Sequence, residues 1–171
     1  MNIDTIKSKL KIDGCCYLAQ TLVEDGRMSR SDFLDLMLDY KKIAKKFENF
    51  IIKLHPRSDK SLYNEILLEP NVSIKSLSFP HTTMYLSHYS STVFTARYLS
   101  NFIILHELKG DPIPSIFSNI TEYVFKSVND ISLFIDSKSY NGMMSNKITI
   151  TDQLNYVAPN SIVHPLNKVA L

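Results

Sequence analysis

Phe50-Ile51-Ile52-Lys53-Leu54-His55-Pro56-Arg57 is the stretch from which the architecture of this chain follows. An apolar run with β-branched residues stops at a histidine, and the proline after it has no N–H with which to continue a ladder. The run therefore predicts a buried strand over residues 50–54 that delivers His55 at its C-terminal end. Upstream, Gly14 releases a second apolar run of strand length, Cys15 to Val23, which ends in Glu24-Asp25-Gly26. Between the two, Ser29-Arg30-Ser31-Asp32 has the pattern of a helix start, and Phe33, Leu36, Met37, Tyr40, Ile43, Ala44 and Phe47 recur at helical spacing, which predicts a helix over 31–47. Strand, helix and strand in this order form a βαβ unit. Its parallel strands bring Asp25-Gly26 and His55 to one sheet edge, where open α/β sheets bind ligands.

The rest of the chain extends the same pattern. Asp59 to Leu68 reads as a helix with Leu62, Tyr63, Ile66 and Leu67 on its apolar face, closed by Pro70, and Val72-Ser73-Ile74 as a short strand. The stretch Ser78 to Leu86 starts with a turn at Pro80 and reads as the beginning of a further helix, and Ser90-Ser91-Thr92 falls at the N-terminus of another. Phe102 to Leu105 is a buried strand, residues 110–114 a loop, and 115–136 an apolar helical stretch. Asn141-Gly142 marks a turn, and Ile148 to Ile150 an edge strand. The expectation is an α/β fold, one domain with a mostly parallel sheet flanked by helices.

Composition narrows the function classes. With 171 residues, 44% hydrophobic and 21% charged, the chain suffices for one domain with a core. A formal net charge of +2 gives no argument for nucleic acid as a partner, and Lys41-Lys42 with Lys45-Lys46 reads as a solvated helix face. Cys15 and Cys16 are adjacent within an apolar run and predict buried thiols in a reducing compartment. The five histidines have no metal-ligand spacing, so no protein-held metal is expected. Neither a signal segment nor a membrane span is evident, which predicts a cytoplasmic location.

Each polar motif has an ordinary structural explanation when taken alone. An acidic pair before glycine in a βα loop is commonly a solvated turn, His-Pro a strand terminator (His164-Pro165 reads as that case), and Ser-Ser-Thr a helix cap. At one sheet edge they describe carboxylates able to accept a proton, an imidazole able to meet a phosphate, and hydroxyls with helix amides suited to the same phosphate. That chemistry is group transfer from a phosphate-activated donor.

Taken in order, Gln20-Thr21-Leu22-Val23-Glu24-Asp25-Gly26, Ile52-Lys53-Leu54-His55-Pro56-Arg57 and Tyr89-Ser90-Ser91-Thr92 resemble the motifs of the bacterial sialyltransferases, the lipooligosaccharide and capsule polysialyltransferase group. The resemblance spans about residues 15–105 and is nearest to the lipooligosaccharide type. It implies the C-terminal, donor-binding half of a GT-B glycosyltransferase: a Rossmann-like nucleotide-sugar-binding domain over 14–138, after a lead-in of 1–13 and before an extension of 139–171.

It also implies roles. Glu24, supported by Asp25, takes the proton of the acceptor hydroxyl, and His55 contacts the donor phosphate as CMP departs. Ser90 and Ser91, flanked by Thr92, bond that phosphate, while the backbone at Lys53, the ring of Pro56 and the neighbouring Arg57 help hold the nucleotide. Thr82 stands where the family has a ribose-binding glutamate; a hydroxyl cannot grip both ribose hydroxyls as a carboxylate does. The resemblance implies CMP-sialic acid as donor, a surface glycan as acceptor, a metal-independent inverting transfer with no cofactor, and peripheral contact with the inner membrane. GT-B enzymes bind between two such domains and 171 residues supply length for one, which leaves a homodimer or a second chain as ways to complete the cleft. The alternatives are a non-catalytic remnant or partner subunit that binds a nucleotide or nucleotide sugar without turnover, and an unrelated α/β binding domain.

Overall fold

The computed structural model describes residues 12–100, 102–117 and 119–140. Six strands, β1 (Ile12–Leu18), β2 (Phe47–Lys53), β3 (Val72–Lys75), β4 (Met84–Ser87), β5 (Phe102–His106) and β6 (Val124–Phe125), form one sheet in the order β3-β2-β1-β4-β5-β6. Every pairing is parallel. Among the described residues three helices accompany them: α1 (Arg30–Ala44), α2 (Thr92–Arg97) and α3 (Val128–Tyr140). This is an α/β, Rossmann-like domain. The chain builds outward from β1 to β3, then returns to the other side of β1 with β4, so the strand order reverses between β1 and β4.

Alternate residues of β1 feed the two layers of the core. Cys15 and Tyr17 join Phe33, Met37, Tyr40 and Ile43 of α1 and Ile131 and Ile135 of α3; Cys16 and Leu18 face the opposite side, with Val93 and Ala96 of α2. A sheet covered on both faces explains why its inner strands read as continuous apolar runs. Both cysteines are buried, and burial pushes the Cys16 thiol up to about 12, which makes these core groups rather than reactive ones.

The βαβ unit forms as its sequence predicts, with shifted limits. Ser29 caps α1 by accepting the Asp32 N–H at 3.1 Å, and six of the seven periodic apolar positions are buried along the helix. The seventh, Phe47, instead opens β2. Asn71, just before β3, ties these elements together: its Nδ2 donates to the Ala44 carbonyl at 2.8 Å, at the end of α1, and to the Phe47 carbonyl at 3.0 Å. Asn71→Ala leaves both carbonyls without that donor and should cost about 1–3 kcal/mol in urea unfolding, with an unchanged m-value. A loss below about 0.5 kcal/mol would show that water replaces the amide.

Three expectations are corrected. Residues 59–68 form two tight 3-10 turns, Lys60–Tyr63 and Ile66–Leu68, in place of one helix. Two such turns place Leu62, Tyr63 and Ile66 in the core, with Tyr63 edge-on to Phe33 at 5.5 Å. In place of the helix expected to begin within 78–86 the chain forms strand β4, whose four residues are all buried between β1 and β5, so pairing on both sides overrides local propensity. The stretch 115–136 divides into a 3-10 turn, Ser115–Phe117, the short β6, and α3, whose start is fixed where Ser127 Oγ accepts the Asn129 N–H at 3.1 Å. The lead-in up to residue 11, the turn at Asn141-Gly142, the strand over 148–150 and His164-Pro165 lie outside the described residues. No described helix is long and apolar enough to cross a membrane.

Candidate functional site

The loops after β1, β2 and β4 meet at the C-terminal edge, where the strand order reverses and open α/β sheets leave a crevice. The first winds tightly: Asp25 N–H bonds the Thr21 carbonyl at 2.9 Å, Gly26 N–H the Val23 carbonyl at 3.0 Å and Arg27 N–H the Leu22 carbonyl at 2.8 Å. Leu22 is fully buried and anchors the turn, and Gly26 closes it at φ 68°, the left-handed region that glycine tolerates. The turn turns Glu24 and Asp25 outward.

Both carboxylates are then bound to the loop after β2. Asp25 accepts from Thr21 Oγ1 at 2.5 Å and pairs with Arg57 at 3.0 Å. The Thr21 hydroxyl first, and the Arg57 guanidinium second, hold its carboxyl below the usual range. Glu24 Oε1 accepts the Asp59 N–H at 2.6 Å.

The His-Pro turn starts where β2 stops. Leu54 is buried and its N–H still bonds the Lys75 carbonyl at 3.0 Å, but His55, Pro56 and Arg57 are exposed. His55 Nδ1 accepts the Arg57 N–H at 3.2 Å. A neutral imidazole that accepts at Nδ1 carries its proton on Nε2, so the ring offers a donor at its other nitrogen. Lys53 is more occupied than the resemblance implies: its carbonyl accepts the Ala19 N–H at 3.0 Å, and its ammonium donates to the Ser76 carbonyl at 2.5 Å.

The third loop follows β4. Tyr89 N–H donates to Gln20 Oε1 at 3.3 Å, which fastens this loop to the end of β1. Ser90 Oγ lies 2.8 Å from Thr92 Oγ1, and the Ser90 carbonyl accepts the Val93 N–H at 2.9 Å. Ser91 occupies the cap position of α2 without a side-chain capping bond and is exposed. Neighbouring strands lie about 4.8 Å apart, so the His55 and Ser90 loops flank the end of β1 with a gap of roughly 10 Å.

Glu24, Asp25, His55, Pro56, Arg57, Ser90, Ser91 and Thr92 thus share one edge. Thr82 does not. It precedes β4, donates to the Met84 carbonyl at 2.9 Å and packs beside Gly14 early in β1, which places it at the opposite, N-terminal edge. Strand β4 separates the two edges by roughly 13 Å. The donor-binding role expected for Thr82 is corrected accordingly: it stabilises the start of β4.

Sequence reasoning missed three groups at the edge. Arg27 pairs with Asp111, from the loop after β5, and its guanidinium lies 4.5 Å from the ring centroid of Tyr89. Tyr89 Oη donates to the same Asp111 at 2.8 Å. Arg27 and Tyr89 each adjoin a motif and could have been suspected on that ground. Asp111 lies in a loop of ordinary turn composition, 84 residues from Arg27, and no local signal marks it.

Among the described residues, no three His, Cys, Asp or Glu side chains are grouped to hold a metal ion. The edge carries carboxylates, an imidazole donor, hydroxyls and two arginines, a set suited to a phosphate ester and to proton removal from a hydroxyl. No protein-family model matches the chain, and no curated protein matches it in sequence.

Proposed function

We propose that this chain is the donor-binding half of a sialyltransferase-like glycosyltransferase, taking CMP-sialic acid at the C-terminal edge of its sheet. One observation carries the reading: the acidic turn, the His-Pro turn and the serine pair, the three motifs of the resemblance, sit on three loops that flank the strand-order reversal. In this reading the CMP phosphate lies across the end of β1. His55 Nε2 donates to it from one side, and the Ser90 and Ser91 hydroxyls bond it from the other. Glu24, with one carboxylate oxygen on the Asp59 N–H, uses the second to take the acceptor's proton. The acceptor oxygen then attacks the anomeric carbon, the bond to the phosphate oxygen breaks, and its electron pair leaves with CMP. The acceptor surface comes from another domain or chain, and the glycan substrates place the work on the cytoplasmic side of the inner membrane.

Calorimetric titration with CMP and with CMP-sialic acid tests the reading. Saturable binding of both is expected, and no detectable heat at millimolar nucleotide would exclude it. A second reading, a partner that binds nucleotide without turnover, is favoured by the engagement of both motif carboxylates with the loop after β2, Glu24 on the Asp59 N–H and Asp25 on Arg57. Transfer to galactose- or sialic-acid-terminated acceptors by the chain alone would rule that out.

A further inference from the structure

We propose that Arg27 makes this edge of the sheet selective for an anionic ligand, with Asp111 and Tyr89 holding its guanidinium ready until a phosphate displaces the carboxylate. The inference rests on the nucleotide-binding reading above and names the group that would discriminate nucleotide from nucleoside.

Three loops converge on Arg27. The residue follows the acidic turn directly, its guanidinium lies over the Tyr89 ring at 4.5 Å, and it pairs with Asp111 from beyond β5. Tyr89 is fixed at both ends, its N–H on Gln20 Oε1 at 3.3 Å and its hydroxyl on Asp111 Oδ1 at 2.8 Å. The next residue is Ser90. Arg27 therefore stands between the acidic turn and the serine pair, and its charge contributes to the lowered titration of Asp25.

The pair is neither sealed in the core nor freely solvated. The side chains of Arg27 and Asp111 are 26% and 21% exposed, so an incoming ligand can reach them while solvent screening is reduced. A guanidinium presents the same planar fork to a carboxylate and to a phosphate, and the aromatic face beneath it keeps that plane fixed. Asp111 is thus an internal stand-in for the ligand's anion. It also neutralises Arg27 when the site is empty, and without Arg27 its charge would repel a phosphate.

This arrangement predicts opposite signs for two substitutions, which a merely structural brace would not produce. Followed by nuclear magnetic resonance titration, Arg27→Ala should weaken CMP binding tenfold or more while changing cytidine binding less than twofold. Arg27→Lys should recover part of the loss. Asp111→Asn, which releases the guanidinium, should tighten CMP binding severalfold. If both Arg27→Ala and Asp111→Asn weaken CMP and cytidine alike, the proposal fails and the cluster is a brace. Should Arg27→Ala bind CMP as tightly as the wild type, the selectivity role falls while the donor-site reading stands. Inorganic pyrophosphate separates the remaining cases. If CMP does not bind, yet pyrophosphate shifts the Tyr89 and Ser90 amides only when Arg27 is present, the sialyltransferase reading falls and the anion site stands; no such shifts would overturn both.

Discussion

The midpoint of thermal unfolding should fall steeply as the pH is lowered from 6.5 to 4.5, because two imidazoles are buried in their neutral form. His88 and His106 are 1% and 5% exposed, and their rings lie 5.5 Å apart at the C-terminal ends of β4 and β5. His88 Nδ1 lies 3.1 Å from the His106 carbonyl, which can only accept, so the proton is on Nδ1 and Nε2 accepts from Tyr17 Oη at 3.1 Å. His106 Nδ1 meets Tyr40 Oη at 2.8 Å, and its ring also bonds the Lys126 main chain. Both tyrosines are fully buried. A second ring proton would have to be accepted by Tyr17 or Tyr40 Oη, whose own hydroxyl hydrogen would then lose the imidazole as its acceptor. Burial lowers His88 from 6.5 to about 3, aided by the His106 ring and Arg27 and opposed by the hydrogen bond to the His106 carbonyl and by Asp111; burial likewise lowers His106 to about 4, opposed by Asp39 and by the bond to the Lys126 main chain.

Since the folded values lie below the unfolded one, the unfolded chain binds more protons across this window, and stability is lost as the pH falls. Each pH unit is worth about 1.4 kcal/mol per histidine, so the two remove about 5 kcal/mol by pH 4.5. That is comparable to the whole stability of many domains, roughly 5–15 kcal/mol. Asp25, Asp59 and Glu107, held below their ordinary values, add their own losses mostly at lower pH. His106→Asn keeps an acceptor for Tyr40 without a titrating ring and should show about half the slope. A midpoint that stays level from pH 7 to 5 would contradict the neutral network.

His55→Ala should weaken CMP binding by roughly 10- to 100-fold, the range for losing a hydrogen bond to a charged group. The fold should not notice. His55 is exposed, and the Arg57 N–H that it accepts lies on a solvated turn where water can replace the ring. The melting temperature of the variant is therefore expected within about a degree or two of the wild type, as for surface substitutions generally. His55→Gln, with an N–H donor near the Nε2 position, should restore part of the affinity. Equal CMP affinity in wild type and His55→Ala would remove the imidazole from the proposed site, and a large drop in stability would assign it a structural role instead.

The βαβ unit was legible because its signals are local and redundant. Ser29 caps α1, the apolar period runs from Phe33 to Ala44, and the apolar run before His55 ends at a proline. Strand β4 was not, because Met84 to Ser87 is a strand only by virtue of parallel partners on both sides. The misplacement of Thr82 follows from that error: with a helix expected there, its position relative to the sheet could not be fixed. At the site, the motifs gave the residues that end strands or start helices, which is where local chemistry and topology coincide. Arg27, Tyr89 and Asp111 are joined across three loops, and such pairings appear only once the strand order is known. The histidine network is hidden for a similar reason, since His88 and His106 meet Tyr17 and Tyr40 only through β1, α1 and the β4–β5 pairing.

The central claim is that a nucleotide's phosphate lies across the end of β1 between His55 and the serine pair. Titration of the isotope-labelled chain with CMP, read by the backbone amide shifts, tests it most directly. Saturable shifts concentrated at residues 55–57 and 89–92, with Thr82 unmoved, are the predicted result. No saturable shift at millimolar CMP, or shifts centred on the opposite edge around Thr82 and Gly14, would contradict it.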